Sequence, residues 1–388
     1  MVLKGRTALD ELLINAGVLL WVVSMNVYEL VGGNVQELFR KATLLIIFGC
    51  ALTCCFKRIT LKYVLLVIIC LITGLVNYKY VGNTMISNQI IVMIYIFSSL
   101  LLTDQRLSEN TVRLAIYMNI VVVMYRFMAV GMFQRVYLAS SNNFISVYLL
   151  LPAVVYYTML EKRRKPIELY TAFFVWFMCL LGMGRGGILC SSLLLMGLIC
   201  YKYKGTEQDI KLLIGVLSIV VGITLIPFMP MIFNRLSTFE VLSKFQGKGM
   251  ESNSRSEIWD DYLKEATKTE FNKIFGGDNS HTIASRQFNG NTHNTYLNIH
   301  VHNGIIPLFI IFVISVKNMM LSIKYHKWIY CLCLVVVLLR GFTDMIFWLN
   351  LGTPVLFYLL FYQFSDKSSI RYEHKSESIR KLLAMANI

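Results

Sequence analysis

Histidines are concentrated in one polar stretch of the sequence, residues 233–303. Four of the six histidines of the chain lie there: His281, His293, His300 and His302. An imidazole exchanges a proton near neutral pH, so a histidine beside a substrate hydroxyl can serve as a general base. Clustered imidazoles could instead hold a metal ion, but no cysteine or carboxylate lies near the last three, and their spacing is not that of a familiar metal site. The pattern therefore favours general-base chemistry, and no metal ion is expected.

Arginines form the second group of candidates, because a guanidinium binds phosphate and carboxylate oxygens through paired hydrogen bonds. Three of them fall within apolar runs or at their edge: Arg126, Arg185 and Arg340. Charged side chains at membrane depth are costly and often functional. Two have an alternative structural explanation. Arg340 is followed four residues later by Asp344, which allows an ion pair within one helix, and Arg126 could extend to the membrane surface.

Arg185 and Arg255 stand in more unusual surroundings. Arg185 lies in Gly182-Met-Gly-Arg-Gly-Gly187, where glycines would let the backbone approach a ligand closely, although a plain loop arginine is the alternative. Arg255 lies near the start of a predicted helix, where the helix dipole opposes a positive charge. It could meet an anion there or be an ordinary solvated arginine. The polar stretch carries three further basic residues ahead of this helix: Arg235, Lys244 and Lys248.

The elements that must position these residues follow from the composition. Of 388 residues, 56% are hydrophobic and only 15% are charged, and the mean hydropathy is +0.60. Soluble domains carry roughly 25% charged residues, so this chain lacks the polar surface of a water-soluble globule. The composition predicts an all-α polytopic membrane protein. No phosphate-binding loop and no basic run interleaved with aromatic residues is present, which argues against nucleotide hydrolysis and nucleic-acid binding.

Apolar runs predict twelve transmembrane helices, several of them short of the usual 20 residues. They cover 12–32, 42–56, 61–76, 89–103, 114–133, 144–160, 167–183, 187–203, 212–232, 304–316, 328–348 and 351–364. With both termini in the cytoplasm, 22 of the 37 lysines and arginines fall on the cytoplasmic side and 4 in short outer loops. This asymmetry follows the positive-inside rule and accounts for most of the net charge of +15.

The predicted organisation has four parts: helices one to nine in 1–232, an extracytoplasmic cap loop in 233–303, helices ten to twelve in 304–364, and a cytoplasmic tail in 365–388. Within the cap loop, Ser254 and Glu257 have the spacing of a capping box, and apolar residues then recur at helical intervals up to Ala266. The two glycines at 276–277 are a plausible end for this helix. The stretch from Asn272 to Gln287 shows no periodicity and is predicted to be a loop.

Three short motifs resemble those of O-antigen ligases and the related O-antigen polymerases. His293-Asn294, nine residues and Gly304 resemble their histidine signature. Arg255-Ser-Glu-Ile-Trp259 with Phe275-Gly-Gly277 resembles the segment that precedes it, and Gly184-Arg-Gly-Gly187 resembles a turn after a transmembrane helix. The chain departs from the pattern at Gly184, where serine is usual, and in the order of glycines after Phe275. The late, large outer loop also fits the family.

The resemblance implies a membrane glycosyltransferase at the outer face of the bacterial inner membrane, acting in O-antigen, lipopolysaccharide or capsule synthesis. Its donor would be an undecaprenyl-diphosphate-linked oligosaccharide within the lipid bilayer, with a flippase and a chain-length regulator as further partners and no cofactor. His293 would deprotonate the acceptor hydroxyl. The groups expected to bind the diphosphate or the substrate are Arg126, Arg185, Arg255, Arg340, Asn294 and Tyr296.

Two alternatives stay open from the sequence. The chain could be a ligase that transfers finished polymer to an acceptor, because the paired arginine loop motifs of the polymerases are not present as such: Arg235 and Gly247 stand in a similar order at a different spacing. It could also belong to another class, a lipid-linked oligosaccharide flippase. A flippase needs charges along a central cavity and has no need of a folded cap, whereas the charges here lie toward one side of the membrane.

Overall fold

The structure is a computed structural model that describes residues 2–30, 33–131, 136–137, 141, 143–182, 184–204 and 253–364. The predicted ninth transmembrane helix, the first part of the cap loop and the cytoplasmic tail lie outside these residues. Every regular element in the described ranges is helical, which confirms the all-α prediction.

The described residues form fifteen α-helices and one short 3-10 helix, Phe56–Arg58. The α-helices are α1 (Val2–Leu30), α2 (Gly33–Cys55), α3 (Leu61–Tyr80), α4 (Ile86–Thr103), α5 (Glu109–Val130), α6 (Phe144–Lys162), α7 (Tyr170–Leu181), α8 (Arg185–Lys204), α9 (Asn253–Thr267), α10 (Glu270–Phe275), α11 (Ile283–Phe288), α12 (Thr295–Asn303), α13 (Ile305–Lys324), α14 (Trp328–Thr343) and α15 (Thr353–Leu360).

Eight of these helices are long and apolar enough to cross a bilayer: α1 to α6, α8 and α13. All eight are longer than the apolar runs that predicted them, because their ends extend into polar residues, and α2 and α13 are among those that gain most. The apolar helices α7 and α14 are shorter, with 12 and 16 residues. The structure thus establishes a helical, membrane-type architecture, while the number twelve remains a prediction.

The last predicted span, 351–364, differs in the structure. Only the eight residues of α15 are helical there, a length of about 12 Å, which is well short of the apolar core of a bilayer. Residues 344–352 before it are irregular but buried within the bundle. Side chains from other parts of the chain bind backbone groups that have no helical partner. The Thr295 hydroxyl accepts from the amide of Ile346 at 3.0 Å, and the Trp21 indole donates to the Leu351 carbonyl at 3.0 Å. Irregular backbone at membrane depth requires such partners within the protein.

Helix α6 is the central element of the bundle. All of its residues from Ile145 to Glu161 are buried, and α1, α5, α7, α8 and α14 pack around it. An apolar face on every side is typical of a helix surrounded by other helices. We call the end of the bundle at the first turn of α6 the His293 end, and the opposite end the Lys162 end.

Helices α9 to α12 form the described part of the predicted cap loop, which we call the cap. The predicted cap helix is confirmed, although it begins at Asn253 and already ends at Thr267. Residues 272–287, predicted as a loop, instead include part of α10 and of α11; both helices have a threonine N-cap. Each is too short to show a periodic apolar face, which is why the sequence pattern missed them.

Two asparagines near the end of α3 hold the cap on the bundle. The Asn77 amide donates to the carbonyls of Phe275 and Val301 at 2.6 and 2.9 Å. The Asn83 amide donates to the Gly277 carbonyl at 2.5 Å, and its oxygen accepts from the Asn279 amide at 2.8 Å. Buried hydrogen bonds of this kind fix orientation, so the cap is held in one position over the His293 end.

Candidate active site

His293 is held in a strained turn just before α12. Its φ is +50°, a left-handed conformation that residues other than glycine adopt rarely. Its backbone amide donates to the Asn291 side chain at 2.8 Å, and the edge of its ring packs against Phe288 with ring centroids 5.2 Å apart. The side chain remains 26% exposed, so the imidazole is positioned by the fold and still accessible. Strain at a position held by its surroundings is often found at functional sites.

Asn294 caps α12. Its side-chain oxygen accepts from the amides of Tyr296 and Leu297 at 2.9 and 3.2 Å, so this oxygen satisfies two free amides of the first helical turn. The cap fixes the helix that immediately follows His293. Substrate binding by Asn294 stays a prediction, and the contacts assign it a positioning role.

Asp344 connects His293 to Arg340. It follows the last residue of α14, and one carboxylate oxygen lies 3.9 Å from His293 Nδ1 while the other lies 3.5 Å from Arg340 Nη2. The ion pair between Arg340 and Asp344 expected from their spacing is therefore present. The contact of Asp344 with His293, which lies 51 residues earlier in the chain, could not be predicted from the sequence.

Arg340 is almost completely buried, with 2% of its side chain exposed. Its guanidinium donates to the Thr343 hydroxyl at 3.0 Å, to the Ser146 hydroxyl at 3.3 Å and to the Asn143 carbonyl at 3.4 Å. Its Nε has no hydrogen-bond partner among the described residues. A buried guanidinium with spare donor capacity can bind an anion without moving.

A cavity of about 160 Å³ brings three of the predicted arginines together at the His293 end. It is lined by Asn143, Gly184, Arg185, Gly186, Gly187, Arg255, Arg340, Thr343 and Asp344. Arg185 is the first residue of α8, and Arg255 projects from the first turn of the cap helix α9 to donate to the Thr343 carbonyl at 2.7 Å. Three cations thus surround one carboxylate, so the lining carries excess positive charge.

The glycines beside Arg185 serve helix packing. A Cβ on Gly187 would lie 2.3 Å from the side chain of Ser146, and one on Gly186 would lie 2.5 Å from the Thr343 hydroxyl. The sequence suggested that these glycines leave room for a ligand, but the side chains of Ser146 and Thr343 fill that room. These glycines let α8 approach α6 and α14 closely enough for Arg185 and Arg340 to share a cavity.

The charges around the cavity act on one another. Burial lowers the pKa of Arg255 and the neighbouring Arg340 and Arg185 lower it further, against the attraction of Asp344. The Asp344 carboxylate contacts Arg340 at 3.5 Å and His293 at 3.9 Å. One carboxylate cannot balance three guanidinium groups, so an added anion would relieve the repulsion among them.

Arg126 is not part of this group. It lies on α5, is partly buried, and does not line the cavity. Its Nε is buried without a hydrogen-bond partner in the described part of the chain. The structure gives no support for grouping it with the other three arginines.

The remaining clustered histidines have other partners. His300 lies between two cap elements: its Nε2 donates to the Lys273 carbonyl at 2.9 Å, so its Nδ1 accepts from the Tyr262 hydroxyl at 2.7 Å. Burial lowers the pKa of His300 and lowers that of His302 to about 4. Both therefore stay neutral and stabilise the cap. Across the described ranges, no three histidine, cysteine or acidic side chains are arranged to hold a metal ion.

Two aromatic side chains near the site, Tyr296 and Trp259, are engaged in packing. Tyr296 donates to the Leu338 carbonyl at 2.7 Å, and its ring lines an apolar groove along α13. The Trp259 indole donates to the Thr292 carbonyl at 2.9 Å and meets the Phe342 ring edge-on at 5.3 Å. Tyr296 does not line the arginine cavity, and its contact with substrate stays a prediction.

The sequence did not single out Asn143 and Thr343, which line the cavity, or Ser146, whose hydroxyl binds Arg340, and it treated Asp344 only as a partner of Arg340. Small polar residues within or beside apolar helices give no distinct pattern. Comparison of the sequence with protein-family models gave no match, and comparison with curated proteins found no relative.

Proposed function

We propose that this protein is a membrane glycosyltransferase that polymerises polyprenyl-diphosphate-linked oligosaccharide units into O-antigen or capsular polysaccharide at the outer face of the bacterial inner membrane. The observation that supports it best is the convergence of Arg185, Arg255 and Arg340 on one cavity beside His293. In the orientation predicted from the basic loops, this end of the bundle faces outward, where such donors are presented.

The cavity suits a diphosphate leaving group. A lipid diphosphate carries about two to three negative charges, and paired guanidinium groups in a partly dry site bind such groups strongly. As the glycosidic bond breaks, further negative charge develops on the phosphate oxygen that leaves. Fixed cations therefore stabilise the transition state more than the ground state. The leaving group needs no general acid, because the diphosphate departs as a stable anion.

His293 supplies the base. The acceptor hydroxyl gives its proton to Nε2 of the imidazole, the oxygen attacks the anomeric carbon, and the bonding electrons leave with the polyprenyl diphosphate. A single displacement of this kind inverts the anomeric centre. Asp344 accepts a hydrogen bond from the Nδ1–H group of His293 in this arrangement, which keeps the proton on Nδ1 and leaves Nε2 unprotonated and directed at the acceptor. The 3.9 Å contact shortens in the complex, as catalytic hydrogen bonds often do.

The ligase alternative shares this donor chemistry and differs in the acceptor. The flippase alternative is less favoured, because the three grouped arginines occupy one end of the bundle. A flippase would need charges distributed along a path between the two ends.

Replacing His293 by alanine in the host tests the proposal, with protein level followed by immunoblot. We expect polymer to disappear while single repeat units still reach the outer surface. His281→Ala is the matched control, because His281 is an exposed cap histidine outside the cavity. Chains of normal length in the His293 variant would refute the base assignment.

The lipid-linked products separate the three activities. A single repeat unit attached to the acceptor lipid identifies a polymerase defect. Free polymer that accumulates on the carrier, with no attached glycan, identifies a ligase. Loss of repeat units from the outer surface identifies a flippase and contradicts the proposed function.

A further inference from the structure

A second cavity system lies at the Lys162 end of the bundle, away from the candidate active site. Two cavities of about 460 and 260 Å³ adjoin there. They have six lining residues in common: Thr103, Gln105, Lys162, Tyr358, Tyr362 and Gln363. The two cavities therefore form one cleft, which we call the basic cleft.

The basic cleft opens where several helices end. Its walls come from the last turns of α4 and α6, from Lys327 at the start of α14, and from α15 with the residues that follow it. Along α6, Lys162 is 16 residues from Ser146, which binds Arg340 of the active-site cavity, and this separation corresponds to about 24 Å. Because α4 and α6 are both able to cross a bilayer, their ends lie at the depth of the lipid headgroups.

Positive charge dominates the basic cleft. Five cationic side chains line it: Arg58, Lys162, Arg163, Arg164 and Lys327. Asp104 is the one carboxylate among the lining residues, and it is already bound by Arg58 at 3.3 Å and by Arg106 at 3.0 Å. Arg163 is paired with Glu109. Within the described residues, neither Arg164 nor Lys327 forms an ion pair within 4 Å, although the buried Glu161 carboxylate is near enough to interact with the charge of Lys327. Arg164 and Lys327 therefore keep donors for an added anion.

The interior of the basic cleft is aromatic and apolar. Tyr358 and Tyr362 are buried at its base, and Lys162 lies over the ring of Tyr362 with its nitrogen 5.7 Å from the ring centroid. Leu102 and Met159 add apolar wall. A small inorganic anion would use only the cations, whereas an anion attached to a hydrocarbon chain would also cover the apolar surface.

We propose that the basic cleft binds the phosphate of an anionic phospholipid, with Arg164 and Lys327 as the groups that recognise its charge. The shared chemistry is a phosphate ester, and the lipid is its source because the cleft combines cations at headgroup depth with an apolar wall. Basic pockets between transmembrane helices are suited to anionic headgroups, and the positive-inside prediction places this one in the cytoplasmic leaflet. The site is independent of the glycosyltransferase activity.

The test uses purified, delipidated full-length protein in neutral detergent. Thermal unfolding is followed during titration with phosphatidylglycerol, with zwitterionic phosphatidylcholine and with inorganic phosphate. The variant Arg164→Gln/Lys327→Gln removes two charges from the cleft. Lys57→Gln/Lys324→Gln is the matched control, because it removes two exposed charges near the same end that do not line the cleft.

Phosphatidylglycerol should stabilise the wild type and the control variant, and should bind the cleft variant at least about tenfold more weakly, since two charge-assisted contacts are lost. Equal stabilisation by phosphatidylcholine, or equal binding by both double variants, would overturn the site. Stabilisation by inorganic phosphate at the same concentrations would overturn the lipid assignment.

Discussion

Replacement of Asp344 by asparagine tests whether this residue acts through His293. The change keeps the shape of the side chain and removes its charge. Its oxygen lies 3.5 Å from Arg340 Nη2, which at an effective dielectric constant near 20 corresponds to about 5 kcal/mol of attraction. The desolvation of a buried carboxylate offsets part of this, so we expect a loss of stability of about 2–4 kcal/mol in a protein that still folds.

The effect on activity is larger and has an upper limit. Without the carboxylate, His293 loses the acceptor that fixes its Nδ1 proton, and Nε2 is unprotonated for less of the time. Removal of a general base costs about 10²- to 10⁴-fold in rate, and a residue that acts only through this base cannot cost more. We expect Asp344→Asn to slow polymer formation by about 10- to 10³-fold.

The double variant His293→Ala/Asp344→Asn decides between the two roles of Asp344. If Asp344 acts through His293, the double variant is as slow as His293→Ala alone, because the two changes remove the same contribution. If Asp344 acts mainly by balancing the arginine charges, the losses multiply. The assay is polymer formed from extracted lipid-linked donor by purified protein in liposomes. Asp261→Asn is the control, since Asp261 accepts a backbone amide within the cap at 2.7 Å. A double variant about tenfold slower than His293→Ala would refute the reasoning.

Three further outcomes are expected. Arg255→Gln should lower polymer formation at least about tenfold, because Arg255 lines the cavity. Arg126→Gln should change it less than about threefold, because Arg126 does not line the cavity. Equal losses in the same liposome assay would contradict the proposed grouping. Gly187→Ala should destabilise the protein by about 1–3 kcal/mol through its clash with Ser146, and Ser146→Gly in the same chain should restore the unfolding temperature in detergent. Lowering the pH from 7 to 5 should destabilise the cap, because the pKa of His302 is about 4 in the folded protein and near 6.5 in the unfolded chain. Only the unfolded chain gains a proton over this range, so the free energy of unfolding falls. In thermal unfolding of His302→Gln, the change in the free energy of unfolding between pH 7 and 5 should be smaller by up to about 2 kcal/mol.

The predictions that held were those that depend on local sequence. The cap helix was found from the spacing of its apolar residues, and the ion pair between Arg340 and Asp344 from their separation by one helical turn. The helices α10 and α11 were missed because six residues are too few to show a period. Most of the irregular backbone from 344 to 352 fell within the predicted helices 328–348 and 351–364, because these runs are mainly apolar. Its hydrogen-bond partners, such as Thr295 and Trp21, come from distant parts of the chain.

The amino-acid sequence by itself determined that this is a helical membrane protein with charged residues near one end of the bundle. That information is local, because an apolar run of sufficient length favours the bilayer whatever surrounds it. Only the tertiary structure decided which charges meet. Arg185, Arg255 and Arg340 are separated by 70 and 85 residues, and they share a cavity because small residues let α6, α8 and α14 pack closely while Asn77 and Asn83 hold the cap above them. Arg126 looks equivalent in sequence but does not line this cavity.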